Sequence, residues 1–297
     1  MGNQQGISKD DINVIIDSSN LKLKEPLGEG SLGKVYRAEW TSATGTQVVA
    51  AKKLKTVTLK QEDVEYLCRI QDKNVNGYLG MVVSPAILVT ELGANGTLFD
   101  FLRKQRPKGR LQASQICTWM LHVCSAVKFV QKLSGVQADV KSPNYVISFE
   151  HVLKLCDLQS ASEPLSKSPP ENKIKWMAPE LYVKKIRVPK SDVYSCGIVF
   201  REILTCEPPW ERMSKGDVHL KVGGSRKLRP VIPNDVDDTL RDLLTECWKE
   251  DPDARPDIAA VKKRVKKIIA KGCNICKYLY DLQITGVYWG RDALTTL

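Results

Sequence analysis

The feature that most constrains this chain is the run Gly28-Glu29-Gly30-Ser31-Leu32-Gly33-Lys34-Val35. Glycines at this spacing let backbone amides approach phosphate groups closely, because no Cβ stands in the way. The pattern alone is also that of a dinucleotide-binding turn, or of a plain tight turn. A dinucleotide turn requires a helix to begin inside the glycine run. Here Tyr36, Ala38 and Trp40 instead alternate with Val35, Arg37 and Glu39, the period of a half-exposed strand. The glycines therefore sit at the tip of a hairpin whose first strand is residues 21–27. A third apolar run, 48–51, ends on Lys52 at the distance of one more strand.

Beyond Lys52, Val64, Leu67 and Ile70 predict a helix within 59–71, and strands follow at 78–83 and 86–90. From Gly93 onward the pattern turns helical. Ile116, Met120, Val123, Val127 and Val130 mark one long amphipathic helix, and further helices are expected over 193–204, 239–248 and 258–270. Two short strands flank a polar turn at Glu150 and His151, and a Ser/Pro/Lys-rich loop covers 160–173. A small β-rich lobe followed by a larger helical one is an α+β, two-lobed arrangement with a ligand cleft at the junction. The chain of 297 residues, 42% hydrophobic and 27% charged, suits a soluble globular enzyme. It has no apolar run of the ~18 residues a membrane span requires and no secretory leader. Nine cysteines without a framework spacing read as reduced thiols, which points to the cytoplasm. The net charge of +11 is concentrated partly in Lys262, Lys263, Arg264, Lys266, Lys267 and Lys271. The apolar positions Ile258, Val261, Val265 and Ile268 make this a terminal helix seated on the core, and no aromatics interleave the lysines as a nucleic-acid partner would require.

Several short motifs then stand in order: Val49-Ala50-Ala51-Lys52, Asp139-Val140-Lys141-Ser142-Pro143-Asn144, Asp157-Leu158-Gln159, Ala178-Pro179-Glu180, Ser191-Asp192-Val193-Tyr194-Ser195 and Arg255-Pro256. Together with the glycine hairpin they resemble the eukaryotic protein kinase family over residues 21–270, most closely its tyrosine-kinase-like group of mixed-lineage type. The resemblance implies three segments: an N-terminal extension (1–20), a kinase domain (21–271) and a C-terminal tail (272–297). It implies ATP and Mg²⁺ as cofactors and a protein substrate. By resemblance, Asp139 orients the substrate hydroxyl and takes its proton, Lys141 stabilises the transferring phosphoryl group, and Asn144 and Asp157 hold the metal ions. Lys52 pairs with the α- and β-phosphates, and Asp63 is its carboxylate partner by spacing, with Glu62 and Glu65 beside it. Leu27, Gly28, Gly30 and Gly33 cover the nucleotide, Val35 and Ala50 lie above the adenine and Val146 below. The backbone of Glu91 to Gly93 bonds the base, with Thr90 at the gate to the back of the pocket. Arg255 is expected to pair with Glu180.

The pattern breaks at four places. Gln137-Ala138 replaces the family's His-Arg, Gln159 replaces a glycine, and Lys173 stands where a threonine usually touches the catalytic Asp. The missing Arg would dock a phosphorylated loop through a contact of about 1.5–3 kcal/mol. Loop phosphorylation at Ser160, Ser162, Ser166 or Ser168 is therefore not the expected switch. Gln137 would belong to an apolar column with Leu67, Tyr78 and Leu158. Lys141 two residues after Asp139 is the Ser/Thr pattern, whereas Trp176-Met177 resembles tyrosine kinases; the lysine bears on chemistry, so Ser/Thr is the expectation. The alternative function is a pseudokinase, a scaffold that binds ATP or a protein without efficient transfer. Gly2 in Met1-Gly2-Asn3-Gln4-Gln5-Gly6 is a candidate for myristoylation, although Gly6 replaces the preferred Ser/Thr. Acylation with the basic terminal helix would give peripheral membrane contact. Cys273 and Cys276 form a CxxC pair without a second Cys/His pair to complete a zinc site.

Overall fold

The computed structural model describes residues 14–30, 33–55, 60–135, 139–158, 171–273 and 275. Strands β1 (Leu21–Glu29), β2 (Gly33–Ser42), β3 (Gly45–Leu54), β4 (Tyr78–Val82) and β5 (Ile87–Glu91) form one antiparallel sheet in the order β1-β2-β3-β5-β4. The period-2 alternation has its expected consequence, since one face buries Ala38, Val49, Ala51 and Val89 with Leu21 and Ile87. Helix α1 (Gln61–Cys68) lies between β3 and β4 and packs on β4 through buried Val64 and Leu67. It is shorter than the helix expected over 59–71.

The packed body extends past both expected boundaries. Before β1, the Ile16 N–H donates to Met81 O (2.7 Å) and the Met81 N–H to Val14 O (2.7 Å), so this segment bonds to β4. Val14 and Ile16 are buried with it. At the other end Ile275 is buried, and its carbonyl accepts the Asp237 N–H at 2.9 Å.

The helical lobe contains α2 (Leu98–Gln105), α3 (Ala113–Ser134), α4 (Glu171–Ile174), α5 (Pro179–Val183), α6 (Pro189–Thr205), α7 (Lys215–Val222), α8 (Asp238–Cys247) and α9 (Ile258–Ala270). Thr97 caps α2 by accepting the Asp100 N–H at 3.1 Å. The stripe Ile116–Met120–Val123–Val127–Val130 is buried where α3 meets α6 and α9, and the α9 stripe is buried as expected. Helix α6 is buried almost all round, which places it at the lobe's centre. The short helices α2, α5 and α7 escape a periodicity reading because two turns or fewer give too few repeats to separate helix from turn. The loop expected over 160–173 gives way to α4 at its end. No helix among the described residues is long and apolar enough to cross a membrane. Their eight described cysteines are all free.

Candidate active site

Between α3 and α4 the chain builds the chemistry on a small hairpin. After Asp139-Val140-Lys141 comes one 3₁₀ turn (Ser142–Asn144), then β6 (Tyr145–Ile147) and β7 (Leu153–Leu155), which pair antiparallel. The pairing brings Asn144 and Asp157 to the same end. Two donors from Cys156 clamp them there, its N–H and its thiol both bonding Asn144 O, at 2.8 and 3.1 Å. Burial pushes the Cys156 thiol up to about 12, so it remains a neutral donor. Asp157 itself has a left-handed backbone (φ +64°), a conformation Asp tolerates better than bulkier residues.

Asp139 is buried, and its Oδ2 accepts from Lys141 Nζ and Asn144 Nδ2, both at 2.9 Å. The same Asn144 amide also donates to Asp139 O at 3.0 Å, which leaves its Oδ1 as an acceptor for a cation. Lys173, carried by α4, brings Nζ to 3.7 Å from Asp139 Oδ1. Lys52 on β3 reaches Asp157 Oδ1 at 2.8 Å. It does not reach Asp63, which lies exposed on α1. The expectation of a Lys52–Asp63 pair therefore does not describe this structure. The orientation of α1 is set by burying Val64 and Leu67, and that turns Asp63 to solvent.

Above the polar cluster, Val35 lies opposite Lys52 and Ala50 opposite Thr90 in the sheet register. Val35, Ala50 and Val146 are only half-buried although apolar, as the walls of an open cleft would be. Thr90 and Glu91 end β5, and the Thr90 hydroxyl donates to Glu91 O at 3.3 Å. Gly93 follows directly over Val146: a Cβ there would stand 2.5 Å from Val146 Cβ, so only glycine lets the connector rest on the cleft floor. Leu27 and Gly28 close β1, with Leu27 half exposed, and Gly30 and Gly33 exchange backbone bonds (2.8 and 3.3 Å) across the hairpin. Gly33 is required by space, since a Cβ would come 2.1 Å from Lys53 O. A cavity of about 500 Å³ is lined by Tyr78, Glu91 and Lys154 among others, and Asp139 is not among its lining residues.

The floor beneath this site holds residues that motif reading missed. Glu202 on α6 is buried and accepts from Ser142 Oγ (2.8 Å) and Trp176 Nε1 (2.6 Å), tying the Asp139 loop to the segment before α5. Burial raises its pKa to about 8 from 4.5, against the lowering effect of those two bonds. Between these values the folded chain holds a proton that the unfolded chain has lost. Stability is therefore highest below pH 4.5 for this group, falls as pH rises to about 8, and is flat above. Glu202→Gln should remove that slope and stabilise the protein at pH 8 by on the order of 3 kcal/mol, with little gain at pH 5. Chemical denaturation at the two pH values measures it, and equal shifts at both would contradict a protonated Glu202. No periodicity marks this residue; a glutamate amid the apolar run of α6 is its only sequence signal.

The expected Arg255–Glu180 link is present, with two parallel bonds of 2.7 and 2.9 Å. The Tyr78 hydroxyl accepts the Leu158 N–H at 3.1 Å. Gln137, Ala138, Gln159, Gly2, Cys276 and the loop serines lie outside the described residues.

A five-stranded lobe over a helical lobe, with a lysine–aspartate pair near an Asp-Lys-Asn cluster at the end of the β6–β7 hairpin, is an arrangement suited to binding phosphate. The sequence pattern of the family described as protein tyrosine and serine/threonine kinase matches residues 21–265, and the chain belongs to the protein kinase family, in its tyrosine-kinase-like group. It is similar to the serine/threonine-protein kinase CTR1 of Arabidopsis thaliana, 29% identical over 89% of this chain and 33% of that protein. It is likewise similar to the serine/threonine-protein kinase STY17 of the same plant (29%, covering 86% and 45%). Mitogen-activated protein kinase kinase kinase 7 of Bos taurus is 25% identical, covering 84% and 44%. The chain thus spans less than half the length of each of these relatives.

Proposed function

We propose that this chain is an ATP-dependent protein kinase that transfers the γ-phosphate to serine or threonine hydroxyls of protein substrates. The observation that carries the reading is the placement of Asp139, held by Lys141 and Asn144, beside Asp157, held by Lys52. The kinase domain is proposed to run over 21–271 between an extension and a tail. The names of the relatives, serine/threonine kinases, support the choice of hydroxyl.

The donor set fits a divalent cation: Asn144 Oδ1 and the Asp157 carboxylate are hard oxygen ligands at one end of the β6–β7 hairpin, and Mg²⁺ is the ion we propose. Held by Asn144 and Asp157, such an ion would offset the negative charge that develops on the phosphate during transfer. The chain does the rest. Asp139 accepts a hydrogen bond from the substrate hydroxyl and takes its proton as the oxygen attacks. Lys141, already beside that carboxylate, stabilises the phosphoryl group in transit. Lys52 holds the non-transferred phosphates, and the small Gly28–Gly33 edge brings backbone donors close. Val35, Ala50 and Val146 sandwich the base, and the backbone from Glu91 to Gly93 bonds its edge, with Thr90 at the gate. We further propose a cytoplasmic protein with peripheral membrane contact through acylated Gly2 and the basic face of α9; one acyl chain alone binds only marginally.

The test is transfer from radiolabelled ATP by the purified chain, onto itself and a generic protein, with and without a chelator. Phosphoserine or phosphothreonine that disappears on chelation is expected. No transfer, together with a nucleotide-dependent thermal shift, would assign the pseudokinase function instead.

Lys173 adds a quantitative expectation. Its ammonium occupies the side of Asp139 that Lys141 and Asn144 leave open, and a substrate hydroxyl must displace it. Lys173→Thr should raise kcat/KM about fivefold, the equivalent of about 1 kcal/mol. Steady-state kinetics decide: a fall in rate would mean that Lys173 assists transfer.

A further inference from the structure

The helices α3 and α9 pack together and leave a cavity of about 60 Å³ beside them. It is lined by Lys73 from the turn before β4, Leu121, His122 and Ser125 from α3, and Lys262 and Lys266 from α9. Two separate segments thus bring lysines to one hollow, and α3 adds His122. Among the described residues none of Lys73, Lys262 and Lys266 forms an ion pair. On the same part of α9, Arg264 is paired to Glu246 at 2.6 Å. Lys262 is partly buried, and its ammonium is disfavoured by that burial and then by Lys266 and Lys128, with Asp72 and the Cys124 thiol opposing. Asp72, whose Oδ1 accepts the Asn74 N–H at 2.8 Å, is the acidic residue among these influences.

His122 completes the lining as a donor. Its Nδ1 accepts the Leu153 N–H at 3.3 Å, so the neutral ring carries its proton on Nε2. Burial and the neighbouring Lys73 lower its pKa to about 4, so the ring is neutral at physiological pH. The hollow is thus a small concave site with cationic and N–H donors, like charges pressed together and no bound counter-charge from the chain. Lys262 is half-buried at the hollow and Lys73 and Lys266 are exposed beside it, whereas Lys263 and Lys267 on the same helix are exposed and do not line it.

We propose that this cavity binds a phosphate-bearing anion, with Lys73, Lys262 and Lys266 holding the oxyanion and His122 donating to it. The volume suits a single phosphate group, which either a soluble polyphosphate or a phosphoinositide headgroup can present. The site stands independently of phosphate transfer in the cleft.

The experiment uses the intact chain and two probes: inositol hexakisphosphate in solution, and phosphatidylcholine vesicles carrying phosphatidylinositol bisphosphate. Lys262→Ala/Lys266→Ala is compared with Lys263→Ala/Lys267→Ala, which removes the same charge from α9 outside the cavity. Saturable binding of at least one probe is expected, weakened about tenfold or more by the first pair and less than about threefold by the second. Whichever probe binds more tightly names the source of the phosphate. The first pair should melt, without probe, at or above the wild-type temperature, because two repelling charges are gone. Equal losses in the two pairs, or no saturable binding of either probe, would overturn the site.

Discussion

Asp139→Asn is expected to lower phosphate transfer by about a hundredfold to ten-thousandfold while leaving the nucleotide-induced thermal shift intact. In the proposed mechanism the carboxylate takes the hydroxyl proton, and an amide cannot take it. The substitution is otherwise mild. The amide oxygen can keep the bonds from Lys141 and Asn144 at the Oδ2 position, and the new NH₂ faces Lys173, a long side chain able to turn away. Lys52 and Asp157 are bonded to each other rather than to Asp139, so nucleotide affinity rests on groups the change does not touch. Transfer by the mutant at the wild-type rate would show that the base lies elsewhere or that a contaminating kinase is at work.

Arg255→Ala is expected to cost about 3–5 kcal/mol of folding stability, measured by urea unfolding. Arg255 is a fully buried cation, and it holds more than Glu180. It donates to the carbonyls of Lys249 (2.8 Å), Lys190 (3.1 Å) and Glu250 (3.2 Å), and its guanidinium lies 5.2 Å from the centre of the Tyr194 ring. Truncation would leave the Glu180 carboxylate buried with the Ser191 hydroxyl as its remaining partner, at 2.7 Å. Such a loss is a large share of the roughly 5–15 kcal/mol a domain possesses. Adding Glu180→Gln to the Arg255→Ala chain should restore part of it, because the uncompensated charge is then gone. A loss below about 1 kcal/mol would mean that water enters and replaces the arginine.

Much of the site was legible because its residues must occupy particular backbone positions. Gly33 and Gly93 are forced by contacts with Lys53 O and Val146, and Asp139, Asn144 and Asp157 fall at the ends of a hairpin whose strands are only three residues long. One short hairpin turn is therefore enough to bring them together. The pairing of Arg255 with Glu180, 75 residues apart, came from the family resemblance rather than from any local pattern. Local spacing misled for Asp63, because the rotation of α1 follows its buried face and not its charges.

By itself the sequence determined the order of strands and helices, the glycine hairpin and the identity of the chemical groups, since periodicity and backbone sterics act within a few residues. Only the tertiary structure decided which charges meet. Lys52 goes to Asp157, Lys173 to Asp139, Glu202 lies protonated under the loop, and lysines from two separate segments share one cavity. Those outcomes depend on how packed elements turn and how far water is excluded, and electrostatic energies of that kind are set by distance and burial rather than by position in the chain.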